Sequence, residues 1–129
     1  MFTITWSEQE RRVAATVGDV DRVLDELDRR YRGRDPQLVT VEVNSTRASL
    51  AIGIGQDRSV LNYVAGNRDP PYFTSTGDLD VDELITFRFN GAPSEFPLRN
   101  SVPIEVAREA TRHFCSTGRL TSAIAWEED

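Results

Sequence analysis

The fold is decided by Leu38-Val39-Thr40-Val41-Glu42-Val43, the turn residues Asn44-Ser45-Thr46-Arg47, and then Ala48-Ser49-Leu50-Ala51-Ile52. Both runs have a side-chain period of two and are rich in β-branched residues, which predicts two strands joined by a short turn. Gly53 to Arg58 predict the next turn, and Ser59 to Ala65 a returning third strand. Leu84 to Phe89 form another strand-like run, ended by the Asn90-Gly91 hairpin signal. Consecutive antiparallel strands of this kind form a meander.

Two segments outside this stretch have helical periodicity. The first places apolar residues on one helical face, with Asp19 as its predicted cap and Gly33 at its end. The second is predicted to begin near Pro103 and to end at Gly118. The apolar stripes consist of Val20, Val23, Leu24, Leu27 and Tyr31 in the first helix, and of Val106, Ala107, Ala110 and Phe114 in the second.

The two ends of the chain predict further strands. Phe2, Ile4 and Trp6 alternate with polar residues, as do Val13 and Ala15, and residues 120–126 predict a last short strand. Together these elements predict an α+β fold, with a single mainly antiparallel sheet and two helices packed on it. We expect residues 1–129 to form one domain, since this length can bury a core without a metal or disulfides.

The charge composition restricts the possible partners. The net charge is −6, and all 15 cationic side chains are arginines. A nucleic-acid-binding face needs a basic surface, so direct nucleic-acid binding is not expected. An acidic protein instead suits a basic protein partner, because complementary potentials accelerate association. The one cysteine, the short apolar runs and the absence of a signal-peptide pattern predict a cytoplasmic protein with no membrane segment.

Catalytic and metal-binding motifs are missing. The only histidine, His113, and the only cysteine, Cys115, are two residues apart on a predicted helix, so they point about 200° from each other. His113 is therefore interpreted as a surface residue and Cys115 as a small buried group. No zinc site can be built from these two alone, and no Gly-x-Ser-x-Gly elbow accompanies them. We predict no catalytic residues, no metal and no cofactor.

Two short motifs resemble ligand loops without completing them. Gly53-Ile54-Gly55 lacks the third glycine and the following helix of a dinucleotide loop, so a tight hairpin with positive φ explains the glycines better. Asp78-Leu79-Asp80-Val81-Asp82-Glu83 begins like a calcium loop, but Glu83 replaces its glycine and Phe89 its final glutamate. That segment is either a solvated acidic loop or a docking surface for a basic partner.

Several sequence strings stand out for their order and spacing: Gly53-x-Gly55-x-Asp57-x-Ser59-Val60-Leu61-x-Tyr63, Pro71-Tyr72-Phe73-x-Ser75-x-Gly77, Glu95-Phe96-Pro97, Val102-Pro103-Ile104-Glu105, Ala107, Ala110, Phe114, Gly118 and Ile124-Ala125-Trp126. Together they resemble immunity protein family 1. The resemblance covers about Leu38 to the C-terminus, while the N-terminal third matches loosely. It implies a small cytoplasmic protein of a bacterial polymorphic toxin system that binds and neutralises a cognate toxin, usually a nucleic-acid deaminase.

The resemblance transfers no catalytic residue, so the contact residues are predicted from chemistry alone. Asp78, Asp80, Asp82 and Glu83 are the candidates for docking a basic toxin. Tyr72, which together with Phe73 follows two prolines in a predicted loop, is the candidate aromatic anchor. The alternative hypothesis is a small-molecule-binding or regulatory domain with the same fold, encoded in a biosynthetic operon, because a curved sheet under helices can hold a pocket.

Overall fold

The computed structural model describes residues 1–129, and strands make up most of its regular structure. The first strands are β1 (Phe2–Thr5), β2 (Arg11–Ala14), β3 (Gln37–Val43), β4 (Ser49–Ile54), β5 (Arg58–Ser59) and β6 (Leu61–Val64). The remaining strands are β7 (Phe73–Thr76), β8 (Leu84–Phe89), β9 (Ala92–Pro97), β10 (Val102–Pro103) and β11 (Ala125–Glu128). Helix α1 spans Val17–Tyr31 and α2 spans Ile104–Thr117.

Nine strands form one open sheet. Its main path runs β11-β7-β6-β4-β3-β1-β2, with every neighbouring pair antiparallel. The β8–β9 hairpin leaves this path and touches it through a single parallel pairing, Gln37 with Arg88. Strands β5 and β10 form a separate two-stranded ladder. The predicted α+β architecture, with two helices on a mostly antiparallel sheet, is confirmed.

The register of β3 against β4 separates the two faces of the sheet. Val39 lies opposite Ile52 and Val41 opposite Leu50, and all four are fully buried on one face. Both helices cover this face, which we call the helical face, through an apolar core. The helical contributors to that core are Val20, Leu24 and Leu27 from α1, with Ala107, Ala110 and Phe114 from α2.

The other side, which we call the open face, is covered only in part. Here the β8–β9 hairpin places Ile85 and Phe87 against Leu38 and Ala51 in a smaller second core. Phe87 is fully buried beneath Gly53 of β4. A Cβ atom added to Gly53 would lie 2.5 Å from Cε1 of Phe87, closer than side chains tolerate. Gly53 therefore admits the aromatic ring that fixes the hairpin to the sheet.

This contact corrects the prediction that both glycines serve a tight turn. Gly53 lies inside β4 and does not have positive φ, whereas Gly55 does, at 104°. The amide of Gly55 donates a hydrogen bond of 3.1 Å to Oδ1 of Asp28 at the end of α1. A protein carboxylate thus occupies the position where a nucleotide-binding loop would hold a phosphate.

Several element boundaries also differ from the predictions. Thr16, not Asp19, caps α1, and its Oγ1 accepts the amide of Asp19 at 3.1 Å. In β2 the alternation of buried and exposed residues is shifted by one residue relative to the prediction, so Ala14 is buried and Val13 is exposed. The final strand begins at Ala125 rather than at residue 120. Ser59 to Ala65 is not one strand, because β5 pairs with β10 while β6 pairs with β4.

Replacing Gly53 with alanine is expected to lower the free energy of unfolding by about 2 kcal/mol, because the new methyl group overpacks the ring of Phe87. Urea denaturation monitored by circular dichroism would measure the change. In a Phe87→Ala background the same replacement should cost much less, since the obstructing ring is gone. Gly18→Ala, where the added carbon meets nothing closer than 3.8 Å, is the control. Equal losses in both backgrounds would contradict this packing role.

Candidate partner-binding site

The candidate docking acids lie in the segment between β7 and β8. Asp78, Asp80, Asp82 and Glu83 are all exposed, and none of them forms an ion pair. The segment is anchored by its backbone instead, since Gly77 donates to the carbonyl of Arg99 at 2.8 Å and Glu83 accepts from Leu98 at 2.8 Å. We call residues 78–83 the acidic loop.

The distribution of ion pairs explains where the net charge resides. The ion pairs engage ten of the 21 acidic and ten of the 15 arginine side chains, which leaves eleven acids and five arginines unpaired. The unpaired groups therefore carry the whole net charge of −6. Four of the eleven unpaired acids lie within the six residues of the acidic loop. The strongest local concentration of uncompensated negative charge is thus in one exposed segment.

The candidate anchor Tyr72 lies elsewhere. It precedes β7, is half-buried, and its hydroxyl donates a 2.8 Å hydrogen bond to the carbonyl of Arg68. Its own carbonyl accepts the amide of Asp129 at 2.9 Å, which extends the β7–β11 ladder by one step. Phe73, which was predicted to share a loop with Tyr72, is instead the first residue of β7.

The structure does not bring Tyr72 and the acidic loop together. They flank opposite ends of β7, whose four residues extend by roughly 3.3 Å each, so the two regions are about 15 Å or more apart. A partner that contacts both would have to lie along this edge of the sheet. The two elements therefore cannot act as one compact site.

A groove that the sequence did not reveal lies on the open face beside Tyr72. Its floor is the uncovered part of β3, β4 and β6, and its wall is the β8–β9 hairpin. The volume is about 380 Å³. The floor residues are Leu38, Thr40, Ser49, Ala51, Asn62 and Val64, and the wall residues are Phe89, Ser94 and Phe96. We call this the hairpin groove. No linear motif predicts it, because three separated strands and a hairpin supply its residues.

A second cleft separates the helices and is lined almost entirely by charged side chains. Arg108 of α2 spans it, with Nη2 3.0 Å from Oδ1 of Asp21 and 2.8 Å from Oδ1 of Asp25. Arg112 adds a contact of 2.6 Å from Nε to Oδ2 of Asp21. These ion pairs fasten α1 to α2, so the arginines of the cleft are already engaged. The unpaired charges in its lining are the carboxylates of Glu105 and Glu109.

The contacts within this cleft shift the pKa values of Asp21 and Arg108. Burial alone would raise the pKa of Asp21, but hydrogen bonds from Arg112 and Arg108 outweigh it and hold that pKa below the ordinary 3.8. Burial would lower the pKa of Arg108, yet its hydrogen bonds to Asp21 and Asp25 raise it. Both groups are therefore held in their charged forms.

The two residues that could have served catalysis are arranged as predicted. His113 is exposed, while Cys115 is buried in the main core. Burial, with a smaller contribution from Asp21, raises the pKa of the Cys115 thiol to about 12, which leaves it unreactive near neutral pH. No three side chains of histidine, cysteine, aspartate or glutamate are grouped in a way that could hold a metal ion. Neither helix has the length and apolar character needed to span a membrane.

Comparison with protein families identifies a match over most of the chain. The family model described as Immunity protein Imm1 matches residues 8–128. The chain belongs to this family. A comparison with curated proteins finds no match. The Imm1 match begins well before Leu38, so the N-terminal third, which was expected to match only loosely, is part of the family's pattern. Imm1 membership indicates toxin neutralisation and implies a cognate toxin as the partner.

Asp21→Asn is expected to lower the free energy of unfolding by about 2 kcal/mol at pH 7, because Arg112 loses its charged partner and Arg108 one of two. The native pKa of Asp21 is depressed, so its contribution is complete above pH 3.8 and is lost as the pH falls below that value. Chemical denaturation from pH 7 down to pH 2 would follow the convergence of variant and parent.

Glu26→Gln is the matched control for this measurement. Its ion pair with Arg12 is half-exposed on both sides, so the same loss of one charge should cost less than about 0.5 kcal/mol. A pH-independent difference between Asp21→Asn and the parent would show that the carboxylate charge does not hold the helices together.

Proposed function

We propose that this Imm1 protein is a cytoplasmic, non-catalytic inhibitor that neutralises a basic, nucleic-acid-acting toxin, specifically a nucleic-acid deaminase. It does so by covering the mouth of the toxin's active site, with carboxylates standing where substrate phosphates would lie. The observation that carries this proposal is the acidic loop, whose four carboxylates are exposed and unpaired in a member of an immunity family. Asp78, Asp80, Asp82 and Glu83 dock the toxin, and Tyr72 is its aromatic anchor.

The proposal follows from what such a toxin requires. An enzyme that acts on nucleic acid must attract phosphates, so its substrate channel is lined with cationic side chains. Exposed carboxylates on the inhibitor are attracted to the same channel and accelerate the encounter. Because the acidic-loop carboxylates have no arginine partner in their own chain, binding does not require an existing ion pair to break. The ten arginines that are already paired are engaged by other carboxylates and do not compensate this charge.

An inhibitory role without catalysis is consistent with the inventory of reactive groups. Hydrolytic catalysis by a side-chain nucleophile needs a base within hydrogen-bond distance. His113 is exposed and Cys115 is buried, so these two do not form such a pair. Inhibition by occlusion requires only a complementary surface, which an acidic loop and an aromatic anchor provide.

Gene order gives the first test against the alternative of a small-molecule-binding or regulatory domain. A gene for a large secreted toxin directly upstream would support the inhibitor, and the purified proteins should then form a stable complex in size-exclusion chromatography. A biosynthetic operon around the gene would instead favour a small-molecule ligand.

Changing Asp78, Asp80, Asp82 and Glu83 together to their amides should lower the association rate with the toxin about tenfold at low salt. The effect should shrink as salt rises, because exposed charges are screened beyond about 8 Å at physiological ionic strength. Stopped-flow association with a catalytically inactive toxin domain, in low and high salt, is the measurement.

The matched control changes Glu8, Glu105, Glu109 and Glu128 to glutamine. These four are also exposed and unpaired, and their loss changes the net charge equally, but they lie in three separate regions, near the N-terminus, on α2 and on β11. If both quadruple variants slow association equally, overall charge steers the toxin and the acidic loop is not a docking site.

Tyr72→Ala should act mainly on dissociation, raising its rate by about tenfold or more, because truncating a desolvated anchor removes contact formed after the encounter. Tyr72→Phe removes only the hydroxyl, whose hydrogen bond goes to Arg68 within the same chain, and should dissociate nearly as slowly as the parent. Surface plasmon resonance would separate the two rates. An unchanged dissociation rate for Tyr72→Ala would rule out the anchor role.

A further inference from the structure

The hairpin groove has an apolar interior that the fold leaves unfilled. Leu38, Ala51 and Val64 form the apolar part of its floor, and Phe89 and Phe96 stand against its side. Phe89 remains 43% exposed, although the neighbouring Phe87 on the same strand is completely buried. A large aromatic ring beside an open space of about 380 Å³ is a place where a partner's side chain can be desolvated.

The polar rim of the groove carries an unbalanced negative charge. The carboxylate of Asp129 accepts hydrogen bonds from Nδ2 of Asn62 at 3.2 Å and from Oγ1 of Thr74 at 2.6 Å, but no arginine pairs with it. On another part of the rim, Arg68 bonds to Ser49 at 3.2 Å, and its charge is balanced by Glu42 at 2.7 Å. The one uncompensated charge among these rim groups is therefore the Asp129 carboxylate.

Tyr72 links these rim groups. Its carbonyl accepts the amide of Asp129, and its hydroxyl donates to the carbonyl of Arg68. By strand alternation Tyr72 has the same orientation as Thr74, which pairs with Asn62 on the open face. The proposed aromatic anchor therefore continues the rim of the hairpin groove.

We infer that the hairpin groove receives an apolar or aromatic side chain of the toxin, accompanied by a neighbouring lysine or arginine that pairs with Asp129. This inference rests on the proposed function and names the chemistry of its contact surface. An apolar pocket with a carboxylate at its rim selects for a basic–apolar segment and against a phosphate-bearing ligand, which Asp129 would repel. The acidic loop attracts the toxin, and the groove retains it.

Short peptides test the groove independently of any toxin. Acetyl-Phe-Arg-amide should shift the NMR signals of Ser49, Asn62 and Ser94 at millimolar concentration. It should bind about twofold to fivefold more tightly than acetyl-Phe-Glu-amide, the size of effect expected of an exposed ion pair. Asp129→Asn should abolish this preference, while Glu128→Gln, an exposed and unpaired neighbour, should keep it. Absent or scattered shifts, or equal binding of both peptides, would overturn the inference, as would tighter binding of uncharged indole.

The second experiment measures binding to a catalytically inactive domain of the toxin that the neighbouring gene encodes. Ser94→Trp, which fills the groove, and Phe89→Ala, which removes its wall, should each raise the dissociation rate about tenfold. The control is Leu84→Ala, because Leu84 is 57% exposed and points away from the groove on the same hairpin. Melting temperatures would verify that every variant is folded.

The peptide and toxin experiments together distinguish failure of the proposed function from failure of the groove inference. If the parent protein binds the peptides but not the toxin domain, the proposed function fails and the groove chemistry stands. If the parent binds the toxin domain and the Ser94→Trp and Phe89→Ala variants bind it equally well, the inhibitor stands and the groove inference fails.

Discussion

The rest of the structure depends on the pairing of β3 with β4. Their register alternates fully buried aliphatic side chains with smaller or polar ones, so each face of the sheet receives a different set of partners. On the helical face, Val39 and Ile52 support a continuous core with α1 and α2. On the open face, Gly53 leaves room for the ring of Phe87, and Ala51 packs in the same smaller core. A one-residue slip would exchange the two faces and leave both helices without a surface to cover.

The arginine side chains have two effects. Some of them join elements of the fold, and their pairing determines which carboxylates remain unpaired. Arg108 and Arg112 join the two helices through Asp21, and Arg32 joins the end of α1 to Asp57 in the turn after β4. Arg108 and Arg32 each engage two carboxylates at a time, which a compact ammonium does less well. The acids that remain unpaired are enriched between β7 and β8. The distribution of charge is therefore a result of folding as well as of composition.

Much of the fold could be predicted from sequence because its signals are local. The spacing of Val20, Leu24 and Leu27 indicated α1, Gly118 indicated the end of α2, and the alternation around Val41 indicated the central strands. The Asn90-Gly91 hairpin was also recognisable, and both residues have positive φ. Errors arose where tertiary contacts override local preference. Gly53 resembles a turn residue until Phe87 is known to lie beneath it, and Phe73 follows two prolines yet enters β7.

The candidate site was only partly accessible by the same reasoning. An acidic run is visible in any sequence, and its exposure follows from its composition. The hairpin groove was not visible, because its floor combines every second residue of three strands and its wall comes from a hairpin that begins 20 residues after the end of β6. Nor could the sequence show that Tyr72 contacts Asp129 and Arg68 rather than the acidic loop, since both contacts depend on tertiary structure.

The acidic loop also affects how the sequence of such a protein can evolve. Its charged side chains hold no other part of the chain, and its ends are fixed by backbone hydrogen bonds. Of the residues at these ends, only Gly77 is restricted, because an added Cβ would collide with the carbonyl of Ser101. In the proposed docking role, substitutions there would alter recognition at little cost in stability, whereas substitutions at Gly53 or Asp21 would first weaken the fold. Partner specificity can thus drift by single mutations while the scaffold stays constant. An inhibitor and its target could therefore evolve together by single substitutions, without passing through a variant that fails to fold.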